Sequence, residues 1–219
     1  KVASEALSVL SPTLDFHEGP MSKVPVIFSE KNSESILCLV NECIELSREE
    51  WDAFEASWDF KEHPLVRLKC SMKFTATDSD SKMASYFLHG AYRAWENECE
   101  ERFVKMKANE EELNHIFIDT YGLQDELTPD VADKDVTVHC ICDTKDDIPE
   151  SLKGSNYVLT KRDIVVSLIS YAVGCMFGRY SLDVDGLAYA GGEWDPGKYN
   201  TYQADIDNII PICDDDYFE

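Results

Sequence analysis

Positive charge is scarce in this chain. Its 219 residues carry 20 Lys and Arg against 43 Asp and Glu, a formal net charge of −23 at pH 7. A surface this negative repels phosphate backbones, which excludes sequence-independent nucleic-acid binding over most of it and leaves room for one local basic face. Long hydrophobic runs are also missing. The most apolar stretch, Ile164 to Phe177, is broken by Ser167, Ser170 and Gly174 and flanked by Lys161, Arg162, Asp163 and Arg179. A membrane span needs about 20 apolar residues, so this run is read as a buried helix and no membrane partner is expected. There is no Cys-x-x-Cys pair. The eight cysteines (Cys38, Cys43, Cys70, Cys99, Cys140, Cys142, Cys175 and Cys213) are scattered, which points to reduced thiols and a cytoplasmic origin rather than a disulfide framework. A Gly-rich strand-to-helix fingerprint, a P-loop and a GxSxG elbow are absent as well. The residues begin without Met or the basic and apolar pattern of a secretory leader and stop at "ICDDDYFE"; the chain is expected to be a piece of a longer polypeptide.

What is present suits a globular, mainly helical protein. Apolar residues make up 44% of the chain and aromatics 11%, enough for a real core. Pro12, Gly19, Pro20 and Pro25 surround a short β-like run, Val24 to Phe28. From Ser33, Ile36, Leu37, Val40, Cys43 and Ile44 recur at spacings of three and four, the mark of a helix face. Ser47 and Glu50 form a capping-box pattern that predicts a new helix carrying Trp51, Phe54 and Trp58. After the polar break "TATDSDSK", Met83 to Lys107 reads as one long helix with Glu98–Arg102 and Glu101–Lys105 as i,i+4 pairs. Asn109 and Glu112 repeat the capping pattern for a further helix, closed by Gly122 as a left-handed cap. Asp135 to Cys142 alternates like a short strand, and Thr160 with Asp163 caps the apolar helix, whose continuous apolarity predicts burial on most sides.

These readings give residues 1–32 as an irregular entry segment with a short strand and 33–129 as a helical region. Residues 130–159 form an acidic loop region and candidate insertion, and 160–219 the buried helix with a Gly/Pro-rich tail. The fold expected is a mainly α, multi-helix domain with a central buried helix and a few short strands.

Few residue sets suggest chemistry. His139, Cys140 and Cys142 are soft metal ligands, but a closed zinc site needs four and no second set accompanies them. Asp183, Asp185 and Gly186 echo a calcium loop without its full ligand pattern, so a turn is expected. Asp195 to Lys198, "DPGK", lacks the second proline and the aromatic of an amino-methyltransferase motif. With 43 acidic residues, carboxylate pairs arise by chance, and no catalytic or metal-binding residue is assigned. The one locally basic region is "WDFKEHPLVRLKCSMKF", where Lys61, Arg67, Lys69 and Lys73 outnumber Asp59 and Glu62 and alternate with Trp58, Phe60 and His63. Either it is an ordinary helix end and loop, with the helix stopping before Pro64, or Lys61, His63, Arg67, Lys69 and Lys73 form a DNA- or domain-facing patch.

Three long stretches carry a resemblance: "SREEWDAFEASWDFKEHPL" (Ser47 to Leu65), "NEEELNHIFIDTYGLQDELTP" (Asn109 to Pro129) and "LISYAVGCMFGRYSLDVDGLAYAGGEWD" (Leu168 to Asp195). In this order they resemble the post-catalytic region of PglX-type adenine-specific DNA methyltransferases, the type IIG-like enzymes of BREX phage defence. The resemblance implies a parent that transfers a methyl group from S-adenosylmethionine to adenine N6, marking host DNA. The family's glycine-rich donor motif and its Asn-Pro-Pro-Tyr motif have no counterpart in these residues, so no catalytic or cofactor-binding residue carries over. The resemblance implies a non-catalytic helical spacer, with the remainder of the parent, double-stranded DNA through that parent, and other BREX components as partners. Two alternatives stand beside it. An acidic protein-interaction module would be insensitive to loss of the basic segment, and a free-standing acidic hydrolase would show metal-dependent turnover.

Overall fold

In the computed structural model, the described residues are 1–10, 18–27, 30–70 and 80–205. Lys73, most of the "TATDSDSK" break and the acidic tail from residue 206 lie outside them. Among the described residues the chain is mainly α with one two-stranded parallel sheet, as its periodicity predicts. Its contacts group it into two units. One comprises Lys1–Arg48, Cys99–Cys140 and Asp146–Val158; the other comprises Glu49–Glu98, Ile141–Lys145 and Leu159–Glu219.

The first unit begins with α1 (Val2–Leu10) and the short α2 (Glu18–Met21). The β-like run after α2 forms no strand over Pro25 to Ile27. The Tyr121 hydroxyl instead donates to the Pro25 carbonyl at 2.7 Å and accepts from the Ile27 amide at 3.1 Å, which satisfies the two backbone groups a sheet would have paired. Helix α3 runs unbroken from Glu30 to Trp51, so Ser47 lies inside a helix and starts none. That helix contains neither Gly nor Pro, and Cys43 and Leu46 hold it against a core of Phe103, Met106, Val131, Val136, Val138, Cys140 and Leu152.

A second merger follows, since no Gly or Pro lies between Lys107 and Tyr121. Helix α5 spans Asp80–Tyr121, 42 residues, or about 63 Å at the standard rise. Asn109 therefore caps nothing. It is buried inside the helix, and its amide donates to Glu42 Oε2 at 2.8 Å. The charges on α5 reach beyond their own helix: Lys105 pairs with Glu42 at 3.1 Å, and Lys107 with Asp133 at 2.7 Å. Gly122 closes α5 at φ +69°, with the Leu123 amide donating to the Ile118 carbonyl at 3.0 Å, the left-handed cap that the sequence predicts.

The acidic stretch after α5 contributes to the core through alternate side chains. Val136 and Val138 are fully buried and Cys140 nearly so, the in–out alternation of a strand. Only β1 (Cys140–Cys142) finds a partner, in β2 (Val158–Thr160), so the strand is shorter than its pattern predicts.

In the second unit α4 is Pro64–Cys70. Pro64 opens this helix and does not terminate a preceding one, because its missing amide would be unsatisfied there anyway. Helix α6 (Lys161–Met176) starts with the predicted capping box, Thr160 and Asp163 each bonding the other's backbone. Its burial is one-sided: Ile164, Tyr171, Gly174 and Cys175 are buried, while Val165, Val166, Ile169 and Val173 are exposed. This corrects the expectation of burial on most sides. The buried side packs with Phe60 and Tyr180, the Tyr171 and Tyr180 rings stacking at 5.1 Å and Phe60 meeting both edge-on. Gly174 is required here, since a Cβ would lie 2.5 Å from Tyr180 Cδ2.

After α6 the chain folds into turns around Ala188, Tyr199 and Ala204. Trp194 stacks on Tyr199 at 4.4 Å. The Asp183 carboxylate accepts from the amides of Asn200 and Thr201 at 2.7 and 2.8 Å, so the calcium-loop echo is a turn staple. Among the described residues, Cys38, Cys43, Cys99, Cys140, Cys142 and Cys175 form no disulfide. Among the described residues no helix is long and apolar enough to cross a membrane.

Candidate interaction surface around α4

The basic segment surrounds the start of α4. The residue before a proline is held out of the α region, which suits the non-helical cap position that His63 takes. The amides of Val66 and Arg67 donate to the His63 carbonyl at 2.8 and 3.1 Å. The Leu65 amide donates to His63 Nδ1 at 3.2 Å. Across the unit, His63 Nε2 lies 2.9 Å from Ser167 Oγ, whose own hydroxyl donates to the Ile164 carbonyl at 2.9 Å.

These contacts fix the protonation of the ring. Nδ1 accepts and carries no proton, and the Ser167 hydrogen is already committed, so Nε2–H donates to Ser167 Oγ. The imidazole is 4% exposed, and burial depresses its pKa to about 4. His63 is thus a neutral capping residue that ties α4 to α6, and it presents no charge to a ligand.

The neighbouring cations have acidic partners. Arg67 pairs with Glu98 at 2.5 Å, and Lys61 lies 4.0 Å from Asp185. The Gly186 amide donates to the Lys61 carbonyl at 2.8 Å, fixing the turn that brings Asp185 there. Beside them, burial and then Asp185 raise the pKa of Glu62. Lys69 lies in the last turn of α4. The sequence reading missed Ser167, Glu98 and Asp185 as partners of this segment, and nothing in the local pattern indicates them. Trp58, the first residue of the segment, is 96% exposed.

Elsewhere the flagged residues have structural roles. The His139 ring meets Tyr157 edge-on at 5.4 Å, and Cys140 is buried in the core. Asp195 caps a single turn through the Gly197 amide at 2.9 Å. Among the described residues no three His, Cys, Asp or Glu are grouped to hold a metal ion.

No family model matches the chain. Two curated proteins do. The chain is 40% identical over 216 residues to an adenine-specific methyltransferase PglX of Lacticaseibacillus casei (strain Zhang), covering 99% of this chain and 16% of that protein. The chain is related to the PglX-type adenine-specific methyltransferases. An adenine-specific methyltransferase BrxX of Escherichia coli O9:H4 (strain HS) is 30% identical over 227 residues, covering all of this chain and 17% of that protein. The chain therefore spans about a sixth of the length of these PglX-type relatives.

The described residues do not fit a methyl donor. A nucleotide-type cofactor site takes a glycine-rich turn between a strand and a helix. Here β2 passes directly through Thr160 into α6 and β1 leads into a single turn at Lys145–Asp147, neither with an intervening glycine. No step of methyl transfer is assigned to these side chains.

Proposed function

We propose that this chain is a non-catalytic helical spacer of a BREX-type adenine-N6 DNA methyltransferase, which places the catalytic part relative to the elements that read DNA. One observation carries the reading: the 40% identity runs through 99% of the chain yet accounts for only 16% of the relative, and these residues hold neither a donor motif nor Asn-Pro-Pro-Tyr. S-adenosylmethionine would be bound elsewhere in the parent. A base buried in a duplex must be flipped out to react, which requires catalytic and DNA-holding parts to be kept in register. Long, well-packed helices such as α5 suit that task.

Within this reading the 61–73 segment is the face turned toward DNA or a neighbouring domain. Its test uses the full-length parent with Lys61, Arg67, Lys69 and Lys73 all changed to Ala, binding duplex DNA across a salt series. The expected result is weaker binding, with the salt slope reduced by roughly one for each lost phosphate contact. Unchanged affinity and slope would remove DNA from the description of this face. A parent that methylates no adenine when supplied with S-adenosylmethionine would sink the methyltransferase reading itself.

A second reading, an acidic module that docks other defence components, is favoured by the net charge of −23 and by the acidic partners of Lys61 and Arg67. It predicts the unchanged salt slope.

A further inference from the structure

Helix α6 carries apolar side chains on two opposite sides, and the described residues cover one of them. At 100° per residue, Ile164, Tyr171 and Cys175 fall together on the buried side. Val166, Ile169 and Val173, continued by Phe177 at the C-cap, fall on the opposite side, spaced by three and four residues. They are 56%, 57%, 41% and 40% exposed. Single exposed apolar residues need no explanation, but an aligned stripe of them does.

We propose that this outward face of α6 is covered by another segment of the parent polypeptide, packing on Val166, Ile169, Val173 and Phe177. The proposal rests on the chain being one region of a PglX-type protein. The relatives supply the missing material, because they extend over about six times the length matched here. Charge disfavours the obvious alternative, a second copy, since two bodies each carrying −23 repel one another. An apolar stripe sandwiched between two parts of one protein would also join them rigidly, as a spacer must.

The test is cysteine labelling of the full-length parent, read peptide by peptide by mass spectrometry. Ile169→Cys is compared with Lys153→Cys, a side chain 62% exposed on the other unit. The expected result is labelling at position 169 at least about tenfold slower than at position 153, the protection of a packed site. Equal rates would overturn the proposal, as would protection that disappears on dilution, which would assign the face to a second copy. Val166→Cys supplies the same readout if Ile169→Cys does not fold. Adenine methylation is scored separately in the same preparations. Protection without methylation would fail only the functional reading, and methylation without protection would fail only this one.

Discussion

His63 makes acid stability a test of the α4–α6 junction. The ring is buried and neutral, with a folded pKa of about 4 against about 6.5 in an unfolded chain. Between those values the unfolded state binds a proton that the folded state refuses. The contribution of neutral His63 is therefore complete above pH 6.5, falls as the pH drops, and stops changing below about pH 4. From pH 7.5 to pH 5 the linkage amounts to about 2 kcal/mol. Protonation at Nδ1 would also expel the Leu65 amide from its acceptor. The perturbation is His63→Asn, which retains a cap acceptor but cannot titrate. At pH 7.5 the variant should be less stable by about 1 kcal/mol, for loss of the hydrogen bond to Ser167. Urea unfolding of both proteins from pH 7.5 to pH 5 checks this, stopping short of the sequence pI near 4.4 where solubility falls. Comparing the two cancels the many carboxylates common to both. Wild type should lose its advantage and fall below the variant before pH 5. Parallel curves with a constant offset would refute the buried neutral ring.

Gly174→Ala should lower stability by about 1–3 kcal/mol through overpacking, because the new methyl meets Tyr180 at 2.5 Å; an unchanged thermal midpoint would contradict that contact. Ile169→Asp on the same helix should cost this 219-residue chain no more than about 1 kcal/mol, as at a surface site, since Ile169 is 57% exposed. A loss equal to that of Gly174→Ala would show the outer face to be packed within the chain itself. Thr160→Ala removes one half of the α6 capping box and should cost about 1 kcal/mol, read by thermal unfolding. Asn109→Ala, which abandons the bond to Glu42 inside α5, should cost about 1–3 kcal/mol. A neutral result would remove Asn109 from the account of how α3 and α5 are joined.

The sequence marks helix content better than helix ends. The same Ser/Thr/Asn-x-x-Glu/Asp pattern occurs at Ser47, Asn109 and Thr160, and only Thr160 is a cap. The difference lies upstream. Thr160 follows strand residues and its backbone is extended, at φ −100° and ψ 161°, so its oxygen is free to meet the first amides. Ser47 and Asn109 stand in runs whose hydrogen bonding is already under way, where a local box cannot compete with a continuing ladder. Gly122 was legible because a left-handed cap is a property of one residue. The His63–Ser167 bond joins residues 104 positions apart, and a single sequence carries no sign of it. The apolar run of α6 made the helix legible but not its sides: Val166, Ile169 and Val173 read the same as Ile164 in sequence, yet only Ile164 is buried by the described residues.

Four cations in thirteen residues looked basic on paper, but in a chain with 43 acids against 20 Lys and Arg, acidic partners from distant segments are plentiful. Arg67 and Lys61 each acquired one, from α5 and from the turn near Gly186. Such pairing does not by itself remove them from DNA. The side chains of the Arg67–Glu98 pair are 47% and 34% exposed, and those of Lys61 and Asp185 73% and 77%. Exposed pairs of this kind are worth about 0–1 kcal/mol, less than a phosphate could return by releasing counterions. The cost falls on what stays behind: a phosphate that took Arg67 would leave Glu98 facing it unpaired. DNA contact through this segment therefore requires the liberated carboxylates to turn away, and its affinity per cation should be lower than on an evenly basic surface. The salt slope of the parent, more than its affinity, is the quantity that separates a DNA face from a protein face at α4.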